Sequence, residues 1–130
     1  MGCDIHLHVE VNIDGKWEHF HAPFIWRNYT LFAMMADVRN YEHIDPISKP
    51  RGFPEDISYI SRKHFEMYER DYHSASWLSG EEYRKLANQY SEMVRKEGNE
   101  RYMGFELEEM KMDISIFDYK DLRLVFWFDN

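Results

Sequence analysis

The stretch Cys3-Asp4-Ile5-His6-Leu7-His8-Val9-Glu10-Val11 decides the reading of the fold, because its residues alternate in character. Cys3, Ile5, Leu7, Val9 and Val11 share one face of an extended chain, and Asp4, His6, His8 and Glu10 share the other. That two-residue period belongs to a β-strand packed on one side. Asp14-Gly15 follows as the two-residue turn that closes a hairpin. Pairing Ile13 with Lys16 sets Val9 opposite Phe20, Glu10 opposite His19 and His8 opposite His21. Polar then meets polar and apolar meets apolar, except where Val11 faces Glu18 and Asn12 faces Trp17 near the turn. In this register His6, His8, His19 and His21 are expected on one face.

Beyond the hairpin, Asn28 is placed to cap a helix running to about Val38, with Leu31, Met34, Met35 and Val38 turned inward. Residues 39–78 contain Pro46, Pro50 and Pro54 and read mostly as a long loop, with a helical part around Ile57 to Tyr68. Ser79 with Glu82 forms a capping box. It heads a helix whose stripe is Tyr83, Leu86, Ala87, Tyr90, Met93 and Val94, with Gly98 as its stop. A further helix fits Met103, Leu107, Met110, Ile114 and Phe117. The turn Asp118 to Asp121 leads into a strand, Leu122 to Phe128, that is apolar at nearly every position and so is expected to be central or covered on both faces.

The expected fold class is α+β: a single domain over residues 1–130, with a small antiparallel sheet in the order 2-1-3 and helices packed on one face. An antiparallel last strand would bring Asp129 and Asn130 beside Asp4 and His6.

Composition narrows the functions available. A chain of 130 residues, 44% hydrophobic and 17% aromatic, can bury one aromatic-rich core. Its net charge of −8 argues against sequence-independent nucleic-acid binding, which needs clustered Lys and Arg, yet leaves room for a small anion in a local arginine pocket. Cys3 is the only cysteine, so no internal disulfide can form, and its place on the apolar face makes it a core residue. No stretch resembles a signal peptide and no apolar run approaches the ~20 residues of a membrane span. A cytoplasmic protein with no membrane partner is therefore expected.

Three groups of residues can carry chemistry. Alternate residues on a strand face lie about 7 Å apart, so His6 and His8 could hold a divalent metal with carboxylate help, or could belong to a solvated, His-rich face. Asp4 and His6 could instead act as an oriented acid–base pair, or Asp4 could satisfy backbone donors. Arg27, Arg39 and Arg51 surround the irregular region, where guanidinium groups suit phosphate or carboxylate; the alternative for Arg51 is pairing with Asp45, Glu55 or Asp56. His73 and Trp77, in Asp71-Tyr72-His73-Ser74-Ala75-Ser76-Trp77, could line a ligand site, or Trp77 could anchor a loop.

Several motifs together resemble a family of small phage and bacterial proteins. They are Met1-Gly2-Cys3-Asp4-Ile5-His6, Arg27-Asn28-Tyr29 with Leu31-Phe32-Ala33, Val38-Arg39-Asn40, Pro50-Arg51-Gly52, Pro54 with Asp56, Asp71 with His73-Ser74 and Ser76-Trp77, and Arg123-Leu124-Val125-Phe126-Trp127-Phe128-Asp129-Asn130. The residues that match the family pattern are Asp4, His6, Arg39, Arg51, Asp56, His73, Arg123 and Asp129. The resemblance implies a mixed Asp, His and Arg site rather than a four-histidine face, with Asp4, His6 and His73 on the catalytic side. Arg39, Arg51, Asp56, Trp77, Arg123 and Asp129 fall on the ligand-binding side. By association with phage counter-defence it implies sequestration of a small anionic molecule, such as a nucleotide signal, in the host cytoplasm. The alternatives are a small phosphoesterase-like hydrolase using Asp4 and His6, with or without metal, and an inhibitor of a host protein partner.

Overall fold

A computed structural model describes residues 2–67, 71–97 and 116–130. The elements are β1 (Asp4–Ile13), β2 (Lys16–His21), α1 (Tyr29–Ala36), α2 (Tyr59–Met67), β3 (Tyr72–Ser79), α3 (Gly80–Glu97) and β4 (Leu122–Asp129), with a short 3₁₀ turn at Tyr119–Asp121. This is an α+β chain built on one antiparallel sheet. The helix expected over Met103 to Phe117, and the stop at Gly98, fall largely outside the described residues.

The sheet order is β2-β1-β4-β3, which corrects the expected 2-1-3 by a fourth strand. The last strand does run antiparallel to β1, but Tyr72–Ser79 pairs along its other edge. β3 hides from a periodicity search because it is serine-rich and carries a bulge between His73 and Ser76, where Ser74 takes φ 56°. Its backbone is stabilised by neighbours rather than by pattern: Arg51 N–H donates to Ser76 Oγ at 3.1 Å and Gly52 N–H to the Ala75 carbonyl at 2.8 Å. Flanked on both edges, β4 is buried from Leu122 through Phe128.

The hairpin closes through Asp14 and Gly15, both at positive φ, as its turn requires. Its register is the expected one from Ile13↔Lys16 to Glu10↔His19 and then slips, so that Val9 faces His21 rather than Phe20. The extra residue, Phe20, therefore removes His21 from its expected place opposite His8.

Helices occupy both faces of the sheet rather than one. Cys3, just before β1, with Ile5, Leu7 and Val9 of β1 and Leu124, Phe126 and Phe128 of β4, forms the apolar core. Leu31, Phe32, Met34 and Met35 of α1, and Tyr83, Leu86 and Tyr90 of α3, belong to the same core. Asn28 caps α1 by accepting from Leu31 N–H at 3.1 Å, and α1 ends at Ala36 because Asp37 turns left-handed at φ 61°. The opposite, polar face is covered by α2, whose Ser61 bonds Glu10, whose His64 bonds His8 and whose Phe65 packs on Trp127. A face that includes the fully buried Trp127 cannot be left to solvent.

The capping box of α3 is present as read, with Ser79 N–H donating to Glu82 Oε1 at 3.0 Å and Glu82 N–H to Ser79 Oγ at 3.2 Å. Between them, Gly80 allows the chain before β4 to pass against the start of α3. A Cβ there would lie 1.7 Å from the Tyr119 carbonyl oxygen, a backbone atom that cannot swing aside. Gly80→Ala is expected to destabilise the fold by about 3 kcal/mol, the upper end of overpacking costs, in urea unfolding. An unchanged midpoint would show that the crossing relaxes freely.

Candidate functional site

Antiparallel pairing of β1 with β4 sets Asp4 opposite Asp129, and β3 adds Tyr72 to the same row. His6, one step in, stands opposite Trp127. His6 is therefore bonded through Nε2 to Asp129 Oδ2, and both side chains stay about a quarter exposed. Asp4, expected to be the carboxylate that works with His6, is instead gripped by Arg27, with Nε at 2.8 Å from Oδ1 and Nη2 at 3.2 Å from Oδ2. That guanidinium holds the Asp4 carboxyl below its ordinary range. The Arg27 guanidinium also lies over Gly2, where a Cβ would fall 2.0 Å from it, a contact that this exposed side chain can relieve by moving.

Further along the same face, His8 sits between two other imidazoles. Its Nδ1 lies 2.8 Å from His19 Nε2 and its Nε2 lies 2.7 Å from His64 Nδ1. A neutral imidazole has one donor and one acceptor nitrogen, so the chain His19–His8–His64 is bonded end to end with a single direction. Burial, with help from the neighbouring imidazoles, drives His8 down to about 3 and also lowers His19 and His64. The rings of His6 and His8 lie nearly parallel to Trp127, at 5.8 and 5.2 Å.

His64 had no signal in the sequence, because a lone histidine on a short helix gains meaning only when that helix docks on the sheet. His6 and His8, taken from sequence as metal ligands, do lie side by side. Their nitrogens are directed to Asp129, His19 and His64, not toward a common point. Among the described residues no group of three or more His, Cys, Asp or Glu side chains is arranged to hold a metal ion.

The other arginines divide sharply. Arg51 bonds both carboxylate oxygens of Glu82, at 2.7 and 2.5 Å, and lies 4.8 Å from the Trp77 ring. Its partner is thus Glu82, not Asp45, Glu55 or Asp56, and the pair pulls Glu82 down to about 2. Trp77 is half-buried on β3 rather than anchoring a loop, and it lines a cavity of about 260 Å³ with Trp17, Tyr119 and Lys120. Arg123 bonds Glu10 Oε1 through Nε at 2.8 Å and Asp56 Oδ1 through Nη1 at 2.7 Å, and covers the Trp17 ring. Ser58 and Ser61 donate to the second Glu10 oxygen. Arg123 and Asp56 therefore occupy one another and help fasten the 56–61 segment to the sheet.

Arg39 is different. It lies 5.4 Å from the Tyr29 ring and its hydrogen bonds, to Tyr41 Oη at 3.3 Å and Asn130 Oδ1 at 3.4 Å, are long and go to neutral groups. His73 reaches the same Asn130 oxygen through Nε2 at 3.1 Å, while its Nδ1 meets Ser74 Oγ at 2.9 Å. His73 pairs with Phe128 and stacks on its ring, so it belongs to the apolar side of the sheet and does not join His6. The strand ends thus carry two groups: His6, Asp129, Asp4 and Arg27 on one face, and Arg39, His73 and Asn130 on the other. No protein-family model, curated protein or solved structure matches the chain.

Two measurements check this arrangement. An unfolded histidine protonates near 6.5, whereas folded His8 resists protonation down to about 3. Stability is therefore full above pH 6.5 and falls as pH drops from there toward 3. Between pH 7 and pH 5 His8 alone is expected to remove about 2 kcal/mol in urea unfolding. NMR titration should show its ring still neutral at pH 5, and a midpoint near 6 would contradict the buried chain.

Glu10 is fully buried while the Asp56 side chain is 65% exposed. Glu10→Ala is expected to cost about 3–5 kcal/mol, because it leaves Arg123 with only the exposed Asp56 and strips buried Ser58 and Ser61 of their acceptor, and Asp56→Ala less than about 1 kcal/mol. Equal losses would mean that the two carboxylates share the work evenly.

Proposed function

We propose that the protein binds a small anionic molecule through Arg39, at the strand ends on the apolar side of the sheet. The carrying observation is the state of that side chain. Arg27, Arg51 and Arg123 each have a carboxylate partner, while Arg39 has none among the described residues. A guanidinium left with two long bonds to neutral oxygens keeps its charge and most of its donors for a ligand.

The loop that presents Arg39 supports the same reading. Asp37, Arg39 and His43 all take positive φ, at 61°, 51° and 56°, a conformation that costs a non-glycine residue roughly 1–2 kcal/mol. Asn40 pins the loop: its Nδ2 donates to Asp37 Oδ1 and to the Ile44 carbonyl, each at 2.7 Å, and its Oδ1 accepts from Ile44 N–H at 2.8 Å. Left-handed backbone held this firmly is found where a ligand-binding group must be placed accurately.

Arg39 also lines a hollow of about 180 Å³ with Tyr29, Asn40 and Tyr41. That volume is below the roughly 300 Å³ at which pockets enclose a drug-sized ligand, so it suits an anionic head group with the rest of the molecule outside. A nucleotide held by its phosphate meets this description. Retention without turnover would make the protein a sequestering one, the role that the phage resemblance favours.

Calorimetry against inorganic phosphate, small phosphate esters, and linear and cyclic mononucleotides tests the proposal. At least one should bind, and Arg39→Ala should weaken it about ten- to a hundredfold, the worth of a charge-assisted hydrogen bond. Arg39→Lys should restore only part of the affinity, because an ammonium lacks the planar fork. Silence across the panel at millimolar concentration would sink the reading.

A further inference from the structure

We infer that His6, positioned by Asp129, is the catalytic base of a second site, one that hydrolyses small neutral esters on the sheet face opposite the Arg39 hollow. Three features of the polar face lead there. His19, His8 and His64 bond one another, whereas His6 bonds a carboxylate, the arrangement that fixes an imidazole's orientation and stabilises its protonated form. His8 is 3% exposed, while the His6 and Asp129 side chains are 26% and 25% exposed, so solvent and a substrate reach the latter pair. The ring is also held on several sides, nearly parallel to Trp127, beside Tyr72 at 5.1 Å and against the His64 edge at 5.3 Å. A base fixed this way has little orientational freedom left to lose in the reaction.

Charge selects the substrate class. Asp4 and Asp129 contribute two negative charges and Arg27 one positive, so with His6 neutral the site carries a net negative charge. A phosphate monoester would be repelled, whereas a neutral carboxylic ester would not. Arg27 is more than half exposed, and its pair with Asp4 is of the kind that contributes little to stability. It can therefore turn a donor toward the oxyanion that develops on the ester carbonyl.

In the step, Nδ1 of His6 takes a proton from a water molecule as the water oxygen bonds to the carbonyl carbon. Asp129 holds the resulting imidazolium. The bond from that carbon to the alcohol oxygen then breaks, its electron pair staying on the oxygen, and the imidazolium returns the proton to it. One water is consumed and one acid and one alcohol are released.

The test uses 4-nitrophenyl acetate with the full chain, and an equal concentration of free imidazole as the reference. The wild type should exceed imidazole by at least a hundredfold. His6→Gln, which retains a hydrogen-bonding group for Asp129, should fall to the imidazole level. Asp129→Asn should lower kcat at least tenfold with little change in KM and move the acidic limb of the pH–rate profile to lower pH, because the imidazolium loses its carboxylate, while Asp129→Glu recovers part of the rate. Arg39→Ala should hydrolyse the ester normally, and His6→Gln should still bind the anion, so this site and the Arg39 hollow succeed or fail separately. A wild type no faster than imidazole, or a His6→Gln protein as fast as wild type, would overturn the assignment; circular dichroism confirms that each variant is folded.

Discussion

The antiparallel pairing of β1 with β4 is the constraint on which the rest of the molecule depends. It runs unbroken from Asp4↔Asp129 to Val11↔Leu122, joining segments from opposite ends of the chain. A contact of such sequence separation carries a large loop-closure cost, and its reward comes on both faces at once. On one side the pair aligns Ile5, Leu7 and Val9 with Leu124, Phe126 and Phe128 beneath α1 and α3. On the other it sets His6 opposite Trp127 and Glu10 opposite Arg123. A slip of one residue would exchange these two sets of side chains and leave neither face packable.

The polar face shows how such groups can be buried without being wasted. Glu10 has no solvent exposure, yet each of its oxygens has at least one donor: Arg123 on one, Ser58 and Ser61 on the other. His8 meets its burial by staying neutral and bonding at both ring nitrogens. Such a network adds modest net stability but penalises any arrangement that leaves a member unpaired, so it specifies where α2 and the segment before it must dock. Trp127 Nε1 is the exception among the described residues, a buried donor with no partner at the centre of the ring cluster.

The division of the arginines follows from the same electrostatics. Where a carboxylate is within reach, the guanidinium is absorbed into the fold, as with Arg51 on Glu82 and Arg123 on Glu10 and Asp56. Arg39 instead meets tyrosines and an asparagine, and no carboxylate pairs with it among the described residues. Residue type alone does not separate the two cases, because the carboxylates that meet Arg51 and Arg123 lie far away in the sequence.

Local chemistry was legible wherever it is written into neighbouring residues. The alternation of β1, the Asp14-Gly15 turn, the Asn28 cap and the Ser79–Glu82 box each depend on a few adjacent positions, and each is present. The juxtaposition of Asp129 with His6 followed from the strand directions and is also present. What the sequence could not reveal depends on distant partners. β3 exists because β4 offers it an edge, Phe20 bulges out of a ladder whose pattern read as regular, and Asp4 turns to Arg27 instead of His6. His64 joins the histidine chain only because α2 docks over β1. Period and capping are short-range and survive in any context, so the sequence by itself determined which segments are strands and helices at those sites. Hydrogen bonds between side chains far apart in the chain are chosen by competition among all available donors and acceptors, and only the tertiary structure decided which carboxylate meets which base.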